Sequence, residues 1–368
     1  MKKLLLTAAA VFLLSVSAEA APPEISAMHA CLMEQKTGSI IYEYNGFEEY
    51  PMASTTKIMT AVVALENSKP DDEVTVSNLA VMQEGSSAYL RQGDKIPMGE
   101  LLYGLMLNSG NDAAVAVAEH VSGNISCFAE KMNEKAAEIG AVNTSFKNPS
   151  GLDSEGHYTT AADLARISSY ALNNEEFRKI VSTRIHKTDY SAGTLYFSNH
   201  NKLLNLYDGC IGVKTGYTKK VGRCLVSAAE RDGVTLVCVT LGDPDDWRDH
   251  AALLDYGFEN IRWKTVLETD KVLKELKSPD DIIIPVKSKE DFSLALCRGD
   301  ESKLEVVLHT VPEVDADVEE GDKLGFCEVI FDGRVVAEHE LVAGREYIKK
   351  KNFAEKFIGF FQKVFNFH

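Results

Sequence analysis

The chain has 368 residues, of which 45% are hydrophobic, so it is longer than an average domain and can bury a sizeable core. Its formal net charge of -16 at pH 7 argues against nucleic acid as a partner. The 7 cysteines include no Cys-x-x-Cys pair and predict neither a zinc site nor a complete disulfide framework, so most are expected to be small buried side chains.

The first residues have the pattern of a secretory signal. Two lysines at positions 2 and 3 precede an apolar run at 4–14, and Ala-Glu-Ala at 18–20 forms a small-x-small cleavage site. The run is shorter than the roughly 20 residues that a transmembrane helix needs. A buried N-terminal helix is the alternative, but it explains neither the basic start nor the cleavage pattern. We therefore predict a signal peptide at 1–20.

Residues 28–44 alternate apolar and polar side chains on both sides of a glycine-containing turn, which predicts a β-hairpin. The turn carries Lys36-Thr37-Gly38 and is expected to point into solvent. The same tripeptide recurs at Lys214-Thr215-Gly216, inside an apolar strand-like segment. A lysine has little reason to lie in such a strand unless it faces a cleft, so the second copy is the candidate for an active site.

Helical periodicity follows the hairpin and predicts helices at 58–67, 98–107, 113–121 and 126–139. The third of these begins apolar all round, as a helix buried on every face would be. Strand patterns return at 210–218, 222–230 and 234–242, and Arg231-Asp232-Gly233 predicts a hairpin between the last two. Strands at both ends of a helical block predict an α/β unit with one antiparallel sheet.

After about Trp263 the chain consists of short alternating segments, with a hairpin turn at Asp332-Gly333. This pattern predicts a first domain at 21–262 and a small all-β domain at 263–345. Asp315, Asp317 and Asp322 share one loop of the β domain and raise the possibility of calcium binding. The EF-hand spacing and its terminal glutamate are missing, so a solvated acidic turn is favoured.

The segment 346–368 combines an aromatic stripe with many lysines. At helical spacing the apolar residues share one face, and they are Phe353, Phe357, Phe360, Phe361, Val364 and Phe365. A basic, aromatic helix of this length is too short and too charged to span a bilayer but suits its interface. The alternative is a helix packed on its own domain. We predict an amphipathic, membrane-associating helix.

Ser54-Thr55-Thr56-Lys57 is the chain's one Ser-x-x-Lys sequence, and a helix-like run follows it. Residues at i and i+3 share a helix face, so Lys57 can reach the Ser54 hydroxyl. A desolvated lysine near a second cation loses its proton readily and can then activate a serine nucleophile. The chain has no Gly-x-Ser-x-Gly nucleophile elbow, so the sequence does not indicate a Ser-His-Asp hydrolase.

A second element, Ser-x-Asn, occurs twice. Ser109-Gly110-Asn111 opens the all-apolar helix and should emerge from the middle of the helical block. Ser122-Gly123-Asn124 lies at the far end of that helix and is better explained as a glycine-terminated cap. We therefore select Ser109 and Asn111.

Four segments together carry a specific resemblance: ASTTKIMTA, LLYGLMLNSGNDAA, FKNPSGLDSEGHYTTAADLA and GVKTGYT. Taken in order, they resemble the serine-type D-alanyl-D-alanine carboxypeptidases, which are low-molecular-weight penicillin-binding proteins of the peptidase S11 type. The resemblance covers nearly the whole chain. It implies a penicillin-binding/β-lactamase-like α/β domain at 21–262, with an antiparallel sheet and a helical block, followed by the β domain and the tail helix.

The resemblance also implies roles for the residues of the first two motifs. Ser54 would be acylated by the penultimate D-alanine of a peptidoglycan pentapeptide stem, and Lys57 would be its general base. Ser109 would relay protons toward the leaving D-alanine, and Asn111 would hold Lys57 and the substrate amide. β-Lactam antibiotics would acylate the same serine.

The third motif would form the wall of the site. Lys214 would keep the site electropositive, and Thr215 would bind the terminal carboxylate. Gly216 would let the substrate lie along the strand, and the backbone N–H groups of Ser54 and Tyr217 would hold the oxyanion. Neither a metal nor an organic cofactor is implied. Asn148, His157 and Cys210 lie in or near matching segments, and we expect them to be structural.

These features predict an exported enzyme at the outer face of the cytoplasmic membrane, on the periplasmic or cell-wall side. Two alternatives remain. One is a β-lactamase of the same fold, but no Glu-x-x-Leu-Asn segment that would activate the deacylating water lies between Asn111 and Lys214. The other is a non-catalytic peptidoglycan-binding scaffold, against which the intact motifs argue.

Overall fold

The structure is a computed structural model that describes residues 21–190, 193–297 and 299–349. The predicted signal peptide at 1–20 and nearly all of the predicted tail helix lie outside the described residues. Within them, no helix is both long and apolar enough to cross a bilayer.

The first region of the chain alternates strands and helices up to residue 260. Its strands are β1 His29–Glu34, β2 Ile40–Tyr44, β3 Glu73–Thr75, β4 Lys95–Pro97, β5 Ile185–Tyr190, β6 Gly193–Ser198, β7 Cys210–Thr218, β8 Gly222–Arg231 and β9 Val234–Leu241. Its helices are α1 Lys57–Asn67, α2 Asn78–Val81, α3 Met98–Leu107, α4 Asn111–Ser122, α5 Ile125–Ile139, α6 Ala161–Ala171, α7 Glu175–Ser182, α8 Leu203–Leu206 and α9 Asp246–Asn260.

Five of these strands form one antiparallel sheet in the order β2-β1-β9-β8-β7. The N-terminal hairpin joins the later strands through β1 and β9, where Cys31 lies opposite Val239. This confirms the predicted sheet. Because β9 is central and covered on both faces, all of its residues are buried.

The sheet lies between two helical layers, and its strands alternate between two cores. Met33, Val226 and Val237 face the helical block, whereas Leu225 and Leu236 face α9 on the opposite side. The alternation follows from the two-residue period of a strand. The result is an α/β/α arrangement in which β7 is an edge strand of the sheet, next to the start of α1.

The four predicted helices are confirmed as α1, α3, α4 and α5. Helix α4 is buried over its first eight residues and ends at Gly123, whose φ of 78° is the left-handed conformation of a glycine cap. The second Ser-x-Asn sequence is therefore a helix cap, as predicted. Helices α6, α7 and α9 were not predicted. In α6 and α9 the buried face includes polar residues, such as Asp163 and His250, which interrupt the apolar pattern. Helix α7 has only eight residues, of which three are buried.

The rest of the chain is β-rich, which confirms the predicted all-β region. Its strands are β10 Ile261–Leu267, β11 Val272–Lys277, β12 Ile283–Ser288, β13 Phe292–Cys297, β14 Leu304–Thr310, β15 Lys323–Phe331 and β16 Arg334–Ala343. A five-stranded sheet has the order β11-β12-β16-β15-β14, and β10 pairs with β13. In the acidic loop, Asp317 and Asp322 accept backbone hydrogen bonds from Lys349 and Glu319, as carboxylates that close turns do.

The first Lys-Thr-Gly copy forms the β1–β2 turn, as predicted, but the turn faces the β-rich region rather than open solvent. The Lys36 ammonium lies 4.6 Å from the ring centre of Phe292. The Ser39 hydroxyl donates a hydrogen bond of 2.8 Å to Asp300. The sequence pattern could not reveal this contact, because the partners follow the turn by more than 250 residues.

The cysteines differ in their exposure to solvent. Cys31, Cys224, Cys238 and Cys327 are buried, as expected for most of them, whereas Cys127 is exposed and the other two are half-buried. All seven are free thiols. Burial raises the pKa of Cys31 to about 12, so this thiol is unreactive at neutral pH.

Candidate active site

Ser54 lies in a short 3₁₀ turn, Ala53–Thr56, that leads directly into α1. The turn is closed by two side chains: Thr55 Oγ1 donates to the Met52 carbonyl at 2.6 Å, and Thr56 Oγ1 donates to the Ala53 carbonyl at 2.8 Å. Ala53 has a φ of 46°, a conformation that costs energy in a residue with a side chain. The local sequence thus holds Ser54 at a strained, well-fixed helix start.

Lys57 is fully buried beneath Ser54. Its Nζ lies 3.1 Å from Ser54 Oγ and 2.8 Å from Asn111 Oδ1. It also donates to the carbonyl oxygen of Ser150 at 2.5 Å. Burial, together with the nearby Lys214 ammonium, holds the pKa of Lys57 well below its usual range. A lysine in this state can accept a proton from the hydroxyl that it contacts.

Lys214 supplies the second cation from β7. Its side chain is buried, and its Nζ donates to the Thr215 carbonyl at 2.9 Å. Burial lowers the pKa of Lys214 to about 7. The second Lys-Thr-Gly copy thus lies at the same cavity as Ser54, while the first copy is in the β1–β2 turn.

The loop between α3 and α4 brings Ser109 and Asn111 to the same place. Ser109 has a φ of 59°, and this turn directs the chain into α4. The Asn111 amide is held at both ends, since Oδ1 accepts from Lys57 and Nδ2 donates to the Glu84 carbonyl at 2.6 Å. Ser109 lines the cavity next to Ser54.

The cavity has a volume of about 490 Å³. Five of the eight predicted site residues line one part of it: Ser54, Ser109, Thr215, Gly216 and Tyr217. Lys57 contacts Ser54, and Asn111 contacts Lys57. A Cβ at Gly216 would lie 3.1 Å from the backbone nitrogen of Ser54, tighter than most real contacts. Gly216 therefore permits β7 to approach the 3₁₀ turn closely. Lys214 completes the predicted set from the same strand.

The other wall of this cavity was not predicted from the sequence. It is formed by Ser86, His200, Lys202, Arg223, Asp246 and Trp247. Arg223 donates two hydrogen bonds to Asp246, of 2.9 and 2.6 Å, and lies over the Trp247 ring. The signal that could have found Arg223 is a charged residue directly before the apolar run 224–226 of β8. His200 has no such signal, and burial lowers its pKa.

Residues 147–157 form a loop that positions groups in contact with Lys57 and Thr56. Asn148 Oδ1 accepts from the backbone nitrogens of Ser150 and Gly151, which fixes the carbonyl that binds Lys57. His157 Nδ1 accepts from the Lys147 backbone nitrogen, so Nε2 carries the proton shared with Thr56 Oγ1 at 2.8 Å. Burial lowers the pKa of His157 to about 4, so it is neutral.

Cys210 is half-buried, and its Sγ contacts the Gly212 carbonyl at 3.4 Å. Burial raises the pKa of Cys210 to about 11. All three side chains for which we predicted structural roles contact backbone groups. In the described ranges, no group of three or more His, Cys, Asp or Glu side chains is arranged to hold a metal ion.

This fold, with a buried lysine beneath a serine at one cavity, defines a serine hydrolase of the penicillin-binding class. A family model described as Peptidase_S11, D-alanyl-D-alanine carboxypeptidase, matches residues 16–245. A second model, the C-terminal domain of penicillin-binding protein 5, matches residues 263–349. The chain belongs to the peptidase S11 family of D-alanyl-D-alanine carboxypeptidases.

Curated relatives match most of the chain. It is 32% identical to the D-alanyl-D-alanine carboxypeptidase DacF of Bacillus subtilis, in a match that covers 89% of this chain and 87% of that protein. It is 29% identical to the D-alanyl-D-alanine carboxypeptidase DacC of Escherichia coli, which covers 94% of this chain and 88% of that protein.

Solved structures agree with the sequence relatives. Penicillin-binding protein 5 from Haemophilus influenzae superposes with a TM-score of 0.67 at 28% identity, covering 90% of this chain and 100% of that one. The Streptomyces K15 DD-transpeptidase gives a TM-score of 0.62 at 35% identity, covering 65% of this chain and 100% of that one. These comparisons confirm the predicted family and fold, and they do not favour the β-lactamase and scaffold alternatives.

Proposed function

We propose that this protein removes the terminal D-alanine from peptidoglycan pentapeptide stems through an acyl-enzyme on Ser54, and that β-lactams acylate the same residue. The environment of Lys57 is the observation that carries the proposal. It is buried, it contacts Ser54 Oγ at 3.1 Å, and the Lys214 cation lowers its proton affinity. These are the conditions under which a lysine acts as a general base toward a serine.

In the acylation step, Ser54 Oγ attacks the carbonyl carbon of the penultimate D-alanine while its proton passes to Lys57. The oxyanion that forms accepts hydrogen bonds from the backbone nitrogens of Ser54 and Tyr217. The close approach of Gly216 to the Ser54 backbone nitrogen supports this assignment, because it brings the two peptide segments close enough for one oxygen atom to contact both.

The C–N bond then breaks, and the leaving D-alanine amine takes a proton by way of Ser109. Thr215 binds the terminal carboxylate of the substrate, and Lys214 keeps the site electropositive. Asn111 holds Lys57 and the amide of the bound stem. Water next attacks the ester, which releases the shortened stem and restores the Ser54 hydroxyl. The cavity next to Ser54, which Ser109 and Thr215 line, supports these roles.

We also propose that the protein acts at the outer face of the cytoplasmic membrane. The signal-like pattern at 1–20 supports export, and the basic aromatic segment at 346–368 supports association with the membrane surface. Peptidoglycan stems are present on that side of the membrane, so substrate and enzyme meet there.

The direct test is to supply a pentapeptide ending in D-Ala-D-Ala and to measure free D-alanine. We expect the wild type to release it and Ser54→Ala to release none, because the acyl bond cannot form without the hydroxyl. Fluorescent-penicillin labelling should disappear in the same variant. Ser122→Ala, in the second Ser-Gly-Asn sequence, is the matched control and should retain both activities. Wild-type labelling of Ser54→Ala would contradict the proposal.

A further inference from the structure

Asp112 follows the Ser109–Asn111 loop and lies in the first turn of α4, where it is buried. Its Oδ2 accepts hydrogen bonds from Ser87 Oγ at 2.6 Å and from the Leu90 backbone nitrogen at 3.2 Å. Its Oδ1 accepts from the backbone nitrogens of Ala88 at 2.8 Å and Ala113 at 2.9 Å. Donors on both oxygens and a helix N-terminus are the surroundings of an ionised carboxylate.

The bonded loop, residues 84–90, reaches the cavity through one residue. Ser86 lines the cavity next to Ser54 and Ser109. The carbonyl oxygens of Glu84 and Ser86 accept from Nδ2 and the backbone nitrogen of Asn111, at 2.6 and 2.8 Å. Asp112 therefore fixes the loop that in turn fixes Asn111, the side chain whose Oδ1 contacts Lys57.

Asp112 also balances the charge around Lys57. The charges of Lys214 on β7 and Asp112 on α4 act on Lys57 in opposite directions, the first lowering and the second raising its pKa. Asp112 directly follows Asn111, whose Oδ1 contacts Lys57. The 3₁₀ turn and the 147–157 loop contribute neutral groups, the Ser54 hydroxyl and the Ser150 carbonyl, and His157 behind Thr56 is neutral. Among the described residues, no lysine or arginine forms an ion pair with Asp112. The charge of Asp112 is therefore not neutralised by a directly paired cation.

We propose that Asp112 is a positioning residue for the reaction: it ties the 84–90 loop to Asn111 and supplies the negative charge that offsets Lys214 beside Lys57. This inference rests on the proposed function, in which Lys57 is the base. Because Lys57 must be neutral to take the Ser54 proton, the acid limb of the pH profile of acylation reports its proton affinity. Removing the anion lowers that affinity.

The test compares the rate of acylation by a fluorescent penicillin from pH 4 to pH 10 in the full-length protein. Asp112→Asn should move the acid limb to lower pH by about half a unit or more and should lower the plateau rate at least about 10-fold. Asp112→Glu keeps the charge and should leave the limb at its wild-type pH. Ser87→Ala loosens only the loop, so the plateau should fall several-fold with no movement of the limb.

Asp163 provides the matched control. It is a buried aspartate in the first turn of α6 that accepts from the Asn143 backbone nitrogen and the Thr144 hydroxyl, and it does not contribute to the charge around Lys57. Asp163→Asn should destabilise the fold comparably but leave the acid limb in place.

The charge-balancing role would be overturned if folded Asp112→Asn kept the acid limb of the pH profile at its wild-type pH. It would also be overturned if Asp112→Asn and Asp163→Asn moved the acid limb equally. If Asp112→Asn does not fold, wild-type acylation by Ser87→Ala overturns the loop-anchoring role. Failure of the proposed function is distinguishable from these outcomes, because the wild type itself would then not be acylated.

Discussion

Two lysines are buried at the candidate active site. Lys57 and Lys214 are fully or almost fully out of water, although lysine is among the side chains least often buried. Neither is neutralised by a direct ion pair among the described residues. Burial lowers the pKa of both amines, and the Lys214 charge lowers that of Lys57 further. Such perturbed pKa values are typical of functional sites, where a neutral amine can act as a base.

The two Lys-Thr-Gly copies allow a matched comparison. Lys214→Ala should reduce acylation by a fluorescent penicillin by roughly two or more orders of magnitude, because a transition-state electrostatic contact is lost. Lys36→Ala removes only the contact with the Phe292 ring and should change the free energy of unfolding by about 0.5 kcal/mol. Its acylation should stay near wild type. Stopped-flow labelling of both variants measures this, and exchanged behaviour would show that β7 is not the catalytic strand.

Because Lys214 is buried, we also expect the stability of the protein to depend on pH. Burial lowers its pKa from 10.5 to about 7, so between these values the unfolded chain binds more protons than the folded one. Stability therefore rises with pH across this window, and the cost of the buried charge is largest below pH 7. Lys214→Met removes that cost, and it should raise Tm at pH 6 by about 4 °C or more and much less at pH 10.

Thermal unfolding at the two pH values measures the effect. Lys36→Met, at an exposed position, is the control and should show no pH-dependent gain. Equal gains for Lys214→Met at pH 6 and pH 10 would contradict the assignment of the cost to the buried charge.

At the scale of elements, the site depends on the contact between two irregular segments. The 147–157 loop presents the Ser150 carbonyl to Lys57, and the 3₁₀ turn presents Ser54 to the cavity. They meet at Gly151, where a Cβ would lie 1.9 Å from the Ala53 carbonyl oxygen. No side chain fits there without moving the turn. The geometry of the nucleophile is thus set by packing outside α1.

Gly151→Ala should therefore displace Ser54 and reduce acylation at least about 10-fold, since small misplacements of reacting groups have large kinetic effects. Gly123→Ala is the control: its φ of 78° is close to the 85° of Gly151, but nothing lies within 4 Å of the added Cβ. It should lose about 1 kcal/mol of stability and keep its acylation rate. Labelling kinetics combined with denaturant unfolding separate the two effects, and equal acylation rates would argue against the packing explanation.

At the scale of the whole molecule, the β-rich region packs on the first region rather than trailing from it. Ile261 shares a hydrophobic cluster with Ala295 and with Leu236 of the central sheet, and the β1–β2 turn contacts Phe292. The division at 262/263 remains a prediction, and β10 begins at Ile261.

The tail gives a prediction about localisation. Deleting residues from Phe353 onward should leave D-alanine release from soluble peptides unchanged while moving the protein from the membrane fraction to the soluble one, because the aromatic stripe is the proposed anchor. Fractionation followed by immunoblotting measures it. If the truncated protein still sediments with membranes, the segment is instead a helix packed on its own domain.

The sequence by itself determined the local elements and the chemistry of the site. Periodicity predicted α1, α3, α4, α5 and the strands of the main sheet, because alternation and helical spacing are imposed by a core on one side. The i, i+3 spacing predicted the contact between Ser54 and Lys57. Motif order and resemblance placed Asn111 and Lys214 in the same site, and the family comparison agrees with that resemblance.

Only the tertiary structure decided the surroundings of those residues. The Ser150 carbonyl on Lys57, the wall formed by Arg223 and Trp247, and the β-rich partner of the first Lys-Thr-Gly turn all join segments far apart in the chain. No local pattern encodes such contacts, because they depend on how whole elements pack. The proton affinity of Lys57 also depends on the folded structure. Desolvation and neighbouring charges set it, and both arise only when the chain has folded around the amine.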